Sequence, residues 1–292
     1  MTRLNLTVIG ERINPGFKST REFFDNEDFP ALQELAKRQV AAGAKYLNLN
    51  AGNRAKDDPE FLARIIRAIQ EVVEVPLSFD FPNVEVQKVC LKTYDPDKAK
   101  GQKPIVNSVA ETRWEMMELL TIRPFKVILM ASERLEDGEA KPNITGAEMA
   151  DTAHRVAVRL VKECGLAMDD IIVDIAVSAL IADTAGMNKM ALDAVRRIGS
   201  DPALKGIHMS GGISNIGQQM PAKAADGSNL KEQLENAFLT VAVPLGFDYV
   251  LGTPWRDYQK LEDGNPVFET FKKILEAQGT DALRLVRKLY RP

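Results

Sequence analysis

The sequence is poor in the residues that build metal sites and disulfide networks. Its 292 residues include only two cysteines and two histidines. Cys90 and Cys164 are far apart in apolar or helical stretches, so we expect no disulfide and a cytoplasmic location, where thiols stay reduced. His154 and His208 are equally isolated, and no Cys/His spacing is typical of a zinc site. The sequence therefore predicts neither a bound metal nor a histidine-dependent catalytic triad.

Strong charge of one sign and long apolar runs are absent as well. The formal net charge is −3, and no block rich in Lys and Arg occurs. This balance argues against a nucleic-acid partner and against docking on an anionic membrane surface. No apolar run approaches the length of about 18 residues that a membrane span needs, and the first residues lack the apolar core of a signal peptide. The hydrophobic content of 45% instead predicts a globular protein with a sizeable core.

Short apolar segments alternate along the chain with longer stretches of helical periodicity. The predicted strands are Leu4–Gly10, Tyr46–Asn50, Leu77–Asp80, Ile105–Ser108, Lys126–Met130, Ile171–Ile175, Gly206–Ser210 and Tyr249–Leu251. The predicted helices are Phe29–Ala42, Asp58–Val73, Val84–Lys92, Glu111–Leu120, Gly146–Cys164, Met187–Ile198, Leu230–Val243, Val267–Glu276 and Ala282–Leu289. Eight strand–helix units favour a closed (β/α)8 TIM barrel, forming a single domain over residues 1–292. A doubly wound open sheet is the alternative, but no GxGxxG turn follows the first strand.

Polar side chains occur where several predicted strands end, which in a barrel of this kind is the catalytic face. They are Glu11, Arg12, Asn14, Asn48, Asn50, Asp80, Asn83, Asn107, Ser108, Asp174, Ser210, Ser214 and Asn215. Asp174 is the least expected, because a buried carboxylate is costly unless it is paired or hydrogen-bonded. Either it belongs to a structural salt bridge, or it faces a ligand that presents two adjacent donors. A cup of carboxylates and amides without a nucleophile suits a planar heterocycle with an amino-pyrimidinone edge.

Six segments, in order, match the motifs of one known family. They are VIGERIN (Val8–Asn14), AAGAKYLNLNAG (Ala41–Gly52), LSFDFPN (Leu77–Asn83), PIVNSVAE (Pro104–Glu111), IIVDIAV (Ile171–Val177) and GISNIGQQMPAK (Gly212–Lys223). Through the whole barrel the chain resembles the pterin-binding methyltransferases, specifically the methyltetrahydrofolate:corrinoid/iron–sulfur protein methyltransferase group. It departs from their pattern at four places. Asn48 replaces a usual aspartate, and Phe81-Pro82 replaces a small polar pair. Gly211-Gly212 precedes the Ser-Asn motif where less glycine is expected, and Lys223 replaces a common arginine.

The resemblance implies a reaction and a set of site residues. A methyl group would move between N5 of tetrahydrofolate and the cobalt of a corrinoid (cobalamin) carried by a partner protein, in a direction that the residues leave open. Asp80, Asn107 and Asp174 would hydrogen-bond the pterin ring, Asn215 would act near N5, and Asn215 and Asp80 are the expected catalytic residues. The remaining implied pterin-site residues are Glu11, Asn50, Ser214, Gln218 and Lys223. For Lys223 a solvated loop lysine is an equally good interpretation, and the resemblance also implies a homodimer.

Two other functions stay open at this point. A dihydropteroate synthase shares the pterin cup, but NAGNRAKDD after the second strand and LGTPWRD at the last strand do not match its loop and its phosphate site. A non-catalytic folate-binding subunit would bind folate without using Asn215. The long charged loop Ser132–Thr145, together with Gln218–Asn229, is our candidate for the border of a corrinoid-protein docking site. Simple solvated loops are the other interpretation of these two segments.

Overall fold

Eight parallel strands form the wall of a barrel in the computed structural model, which describes residues 2–291. Residues 1 and 292, the two ends of the predicted domain, lie outside this part. The strands in chain order are β1 Thr7–Ile13, β2 Tyr46–Leu49, β3 Leu77–Asp80, β4 Ile105–Val109, β5 Lys126–Met130, β6 Glu133–Glu136, β7 Glu139–Pro142, β8 Ile171–Asp174, β9 His208–Ser210 and β10 Tyr249–Gly252. The wall runs β10-β1-β2-β3-β4-β5-β8-β9, and β6 and β7 form a separate hairpin.

The barrel closes between β9 and β10 by sparse pairing. Gly212 and Leu251 form an isolated parallel bridge, and the Leu251 N–H donates to the Gly211 carbonyl at 3.2 Å. At the other end of the seam the Asp248 N–H donates to the Met209 carbonyl at 3.3 Å. The predicted (β/α)8 TIM barrel is thus confirmed, with its thinnest pairing beside the turn that follows β9.

Helices pack around the wall because each connection between parallel strands must cross the barrel's outer face. They are α1 Arg21–Asp25, α2 Phe29–Ala41, α3 Arg54–Asp57, α4 Pro59–Gln70, α5 Val84–Thr93, α6 Gly146–Cys164, α7 Met187–Gly199, α8 Leu230–Ala242, α9 Pro266–Glu276 and α10 Gly279–Lys288. The first turn of α6 is capped by the Thr145 side chain, and α6 ends at Gly165 in the left-handed conformation. Within residues 2–291, none of the helices is both long and apolar enough to cross a membrane.

The strand register divides the barrel interior into an apolar and a polar layer. Ile9, Tyr46, Ile105, Ile128, Ile172 and Tyr249 form a small buried cluster inside the wall. Side chains alternate between the two faces of a strand, so the residue two positions further on also points inward. Those residues are Glu11, Asn48, Asn107, Met130, Asp174 and Leu251. The layer at the carboxyl ends of the strands is therefore mostly polar.

Two predicted elements show the largest differences from the structure. The first strand begins at Thr7 and continues to Ile13 rather than ending at Gly10, because β1 resumes its pairing with β2 at Ile13 after a register shift. The predicted helix Glu111–Leu120 is a 3-10 stretch, Glu111–Thr121, that is broken at Arg113 with φ −133° and ψ 49°. The Arg113 side chain donates to Ser108 at 3.1 Å. The conformation of this segment is therefore decided by its contacts with the end of β4.

The predicted loop Ser132–Thr145 contains the antiparallel hairpin of β6 and β7. Asp137 and Gly138 connect the two strands, and both have positive φ, 55° and 82°. Two such residues form the turn that matches the twist of paired strands, and Asp-Gly is a preferred sequence for it. The Asp-Gly pair was therefore the available signal for this hairpin.

Candidate active site

A network of hydrogen bonds joins side chains from three neighbouring strands at the carboxyl end of the barrel. At its centre the buried Asn48 donates through Nδ2 to Oδ2 of Asp80 at 3.2 Å. Its Oδ1 accepts from Oγ of Ser78 at 2.9 Å and from Nδ2 of Asn107 at 3.5 Å. Asn50 donates to the same Asp80 oxygen at 3.3 Å. The structure therefore holds three predicted site residues, Asn50, Asp80 and Asn107, in one arrangement.

Asp174 ends β8 with its half-buried carboxylate on the same inner face. Its Oδ1 accepts a 2.6 Å hydrogen bond from the N–H of Ala176. Burial raises the pKa of Asp174 to about 6; the Ala176 hydrogen bond opposes this rise, and the charge of Asp80 adds to it. Burial also raises the pKa of Asp80, against the hydrogen bonds from Asn50 and Asn48. Among residues 2–291 no Lys or Arg pairs with Asp174, so the salt-bridge interpretation is wrong.

Three oxygen atoms in this group remain available to a ligand. Oδ1 of Asp80, Oδ1 of Asn107 and Oδ2 of Asp174 accept no hydrogen bond from any residue between 2 and 291. We call Asp80, Asn107 and Asp174 the acceptor cup. An ionised carboxylate can only accept hydrogen bonds, so the cup favours a ligand with several N–H donors. The amino-pyrimidinone edge of a pterin carries such donors on adjacent atoms.

Asn215 lies on the 3-10 turn Ile213–Gly217, directly after β9, and its side chain is exposed. Within the described residues this side chain makes no hydrogen bond. The unexpected glycine pair before it has a steric reason. A Cβ atom at Gly212 would lie 2.9 Å from Nδ2 of Asn215, and one at Gly211 would lie 2.8 Å from Cγ2 of Val177. Glycine therefore gives the turn room to fold closely against its surroundings.

Glu11 ties the Asn215 turn to the barrel wall. One carboxylate oxygen accepts from the Ser214 hydroxyl at 2.9 Å, and the other accepts from the Thr253 hydroxyl at 2.9 Å. Burial raises the pKa of Glu11, and the two hydroxyl hydrogen bonds oppose this rise. These contacts join β1 to the segments that follow β9 and β10, across the seam where strand pairing is sparse. Glu11 and Ser214, both predicted site residues, thereby fix the position of the turn.

The two predicted residues furthest along this segment lie apart from the acceptor cup. Gln218 and Lys223 are exposed on the connection between the turn and α8. Lys223 pairs through its backbone with Asn229. Neither side chain has a hydrogen bond to the cup in the described part of the chain, so their contact with a ligand stays a prediction.

Sequence reasoning assigned no role to three inward-facing residues. Asn48 was noted as a polar strand residue that replaces a usual aspartate, Ser210 only as a polar residue at a strand end, and Ser78 was not singled out. Ser210 is opposite Asp174 in the register of β8 and β9, and its buried hydroxyl has no hydrogen-bond partner among residues 2–291. The signal was the alternation along each strand, since each of these residues has the inward parity of its strand.

A groove of about 980 Å³ lies at the opposite end of the barrel. Its lining includes Tyr46 and Tyr249, which begin β2 and β10. His208 also lies at this end, where its ring nitrogens contact Asp248 at 2.6 Å and Asp169 at 3.1 Å. The amino-terminal face of such barrels contributes to stability, whereas catalytic residues gather at the carboxyl-terminal face. The acceptor cup, rather than the groove at the amino-terminal end of the barrel, is therefore the candidate active site.

A barrel with this polar layer at the carboxyl ends of its strands belongs to the class of (β/α)8 barrel enzymes. The pattern of the family described as "Pterin binding enzyme" matches residues 11–251. The chain belongs to the pterin-binding enzyme family.

Individual relatives differ in their reactions. The chain is 26% identical over 256 residues to "Methylcorrinoid:tetrahydrofolate methyltransferase" of Eubacterium limosum, covering 85% of each protein. Among solved structures, a dihydropteroate synthase from Thermus thermophilus aligns with a TM-score of 0.57 and 20% identity, over 87% of this chain and 90% of that one. One from Coxiella burnetii aligns with a TM-score of 0.59 and 14% identity, over 94% and 95%. At these identities the solved structures bear on the fold alone.

Proposed function

We propose that this protein is a tetrahydrofolate–corrinoid protein methyltransferase. It moves a methyl group between N5 of tetrahydrofolate and the cobalt of a corrinoid, such as cobalamin, carried by a partner protein. The observation that carries the proposal is the acceptor cup with the unpaired Asn215 side chain on the turn beside it. The similarity to the E. limosum protein, whose name describes transfer between the same two substrates, supports this reaction.

Some residues of the site bind the pterin ring, and Asn215 assists the departure of the leaving group. Asp80, Asn107 and Asp174 accept hydrogen bonds from the pterin ring and hold it flat. In transfer from folate, the bond between the methyl carbon and N5 breaks, and its electron pair stays on N5, which takes up a proton. The methyl carbon bonds to cobalt through the electron pair of Co(I); transfer to folate reverses each change. Because the corrinoid supplies the nucleophile, the protein contributes positioning and the Asn215 hydrogen bond at N5.

The reaction can be tested with free cobalamin. Chemically reduced Co(I) cobalamin is mixed with 5-methyltetrahydrofolate and protein, and the loss of Co(I) absorption is followed. We expect loss that depends on both protein and methyl donor, and no loss with tetrahydrofolate lacking the methyl group. Methylcobalamin with tetrahydrofolate tests the opposite direction.

Failure of this assay would separate the other functions. Folate binding by calorimetry without methyl transfer would indicate a non-catalytic folate-binding subunit. Condensation of a pterin pyrophosphate with aminobenzoate would identify a dihydropteroate synthase. No heat with any folate would overturn the pterin site itself.

We propose that the hairpin of β6 and β7 borders the docking site of the corrinoid protein. The hairpin is held to the segment after β4 and to α6, since the Leu135 N–H donates to Glu111 at 2.8 Å and Arg155 donates to both oxygens of that carboxylate. Apolar side chains nevertheless project outward at Leu135 and Ile144, which are 46% and 64% exposed. Apolar groups exposed beside a catalytic face are typical of contact surfaces.

Replacing Leu135 and Ile144 together by aspartate should raise KM for the corrinoid protein by about tenfold, because each carboxylate would have to be desolvated on docking. Transfer to free cobalamin is the internal control and should stay within about twofold, since the acceptor cup is untouched. Steady-state kinetics with each corrinoid measure both values. Equal KM values of wild type and variant for the corrinoid protein would contradict this docking site.

We also propose that the protein is a homodimer, which sedimentation would test.

A further inference from the structure

Asn48 lies at the centre of the network and is only 2% exposed. It joins β2 to both β3 and β4 through Asp80, Ser78 and Asn107. This inference rests on the proposed pterin site and concerns how the cup selects its ligand.

The donors and acceptors of this network can be ordered from Asp80. Burial raises the pKa of Asp80, and the hydrogen bonds that its Oδ2 receives from Asn48 and Asn50 oppose this rise and favour the charged form of the carboxylate. A charged carboxylate only accepts, so the nitrogen of the Asn48 amide must face Asp80. The oxygen of that amide then faces Ser78 and Asn107.

The orientation of Asn107 follows from that of Asn48. An amide oxygen only accepts, so Asn107 must turn its nitrogen towards Oδ1 of Asn48. Its own Oδ1 is then left for the ligand, beside the free oxygens of Asp80 and Asp174. The Asp80 carboxylate thus fixes the orientation of the Asn48 amide. Asn48 in turn fixes the orientation of Asn107, which faces the ligand.

We propose that Asn48 sets the hydrogen-bond polarity of the acceptor cup by fixing Asn107 with its oxygen towards the ligand. Asn48 is a positioning residue, since it acts through Asn107 and Asp80. The cup therefore selects heterocycles that present N–H donors at this edge, such as pterins. It rejects those that present a carbonyl oxygen there, such as the matching lumazine, in which oxygen replaces the 2-amino group.

The test compares the Kd values of a tetrahydropterin and its matching lumazine by calorimetry. We expect wild-type protein to prefer the pterin by about 100-fold, because a carbonyl oxygen would leave buried acceptors unpaired. In Asn48→Ala, Asn107 is free to turn its nitrogen to the ligand, and the preference should fall at least about tenfold. Asn48→Asp still accepts from Asn107 but no longer donates to Asp80 when charged. It should bind both ligands more weakly and keep most of the preference.

Asn236 supplies a matched control for loss of a buried asparagine. It is 3% exposed on α8, donates to the Asp257 carbonyl at 3.0 Å and accepts from the Gln259 N–H at 3.1 Å, outside the barrel. Asn236→Ala should lower the unfolding midpoint without changing the pterin preference. Should Asn48→Ala not fold, Asn48→Ser gives the same comparison.

The outcomes separate this inference from the proposed function. A pterin preference that persists in Asn48→Ala or Asn48→Ser would overturn the role of Asn48 alone. A preference lost equally in the Asp and Ala variants would overturn the orientation of Asn107 as its cause. Wild-type protein that binds neither ligand would overturn the pterin site, and with it this inference.

Discussion

Replacing Asp174 by asparagine should weaken folate binding by about 100-fold while stabilising the folded protein above pH 6. The loss of binding follows from the acceptor cup, because an amide puts a donor where the ligand also presents donors. Calorimetric titration with 5-methyltetrahydrofolate measures it. Unchanged affinity would place the ligand elsewhere.

The gain in stability follows from the raised pKa. Burial raises the pKa of Asp174 from its ordinary value of 3.8 to about 6 in the folded state. Between these values the folded protein holds a proton that the unfolded chain has lost, so the free energy of unfolding falls as pH rises. Above pH 6 the ionised wild type carries the full penalty, on the order of 3 kcal/mol. The asparagine variant has no such charge, so its advantage should appear between about pH 4 and 6 and remain at higher pH.

Asp183 provides a matched control for the stability measurement. It is buried, but it accepts hydrogen bonds from the Met187 N–H, the Asn188 N–H and the Asn188 side chain. Asp183→Asn should therefore destabilise the protein, because a single amide oxygen cannot replace both carboxylate oxygens. Urea unfolding of the two variants at pH 8 should give shifts of opposite sign. Destabilisation by Asp174→Asn would contradict a half-buried carboxylate that has no cationic partner among residues 2–291.

Replacing Asn215 by alanine should lower the rate constant of methyl transfer by about 100-fold and change the folate Kd by less than about threefold. We expect the rate constant to change more than the Kd because Asn215 lies outside the network that binds the pterin ring. Its proposed contact is N5, where charge changes during transfer. Stopped-flow loss of Co(I) absorption gives the rate, and calorimetry gives the affinity.

The neighbouring Gln219 is the control for Asn215. It is also exposed on this segment and has no role in the pterin site, and the use of free cobalamin keeps its place in the docking-border segment Gln218–Asn229 out of the measurement. Gln219→Ala should leave both quantities unchanged. A normal rate in Asn215→Ala would remove this residue from the chemistry, and a large rise in its folate Kd would move it into the group that binds the ring.

Elements with a strong local pattern were predicted closely. The apolar run Lys126–Met130 has the predicted bounds, and α6 both begins at Gly146 and ends at Cys164 as predicted. Glu111–Thr121 was expected to be a regular helix but is a 3-10 stretch that is broken at Arg113. Its backbone depends on partners elsewhere in the chain, since Glu111 binds Arg155 and Arg113 binds Ser108. Local propensity is a weak guide where such contacts decide the conformation.

The acceptor cup was only partly accessible to sequence reasoning. Polar residues at the ends of apolar strands identified Asp80, Asn107 and Asp174 as candidates, and the family motifs supplied an expected role for them. No local pattern indicates the role of Asn48, because its partners Asp80 and Asn107 lie 32 and 59 positions away. Likewise, the link from Glu11 to Ser214 spans 203 positions and exists only because the barrel closes.

The sequence by itself determined the order of strands and helices, the barrel and the chemical types of the residues at its carboxyl end. These depend on apolar periodicity and strand alternation, which are properties of neighbouring residues. Only the tertiary structure decided that Asp174 has no cationic partner among residues 2–291, that Glu11 holds the Asn215 turn and that Asn48 is hydrogen-bonded to Asn107. Each of these depends on hydrogen bonds or burial between distant segments, and such contacts are set by strand register and barrel closure.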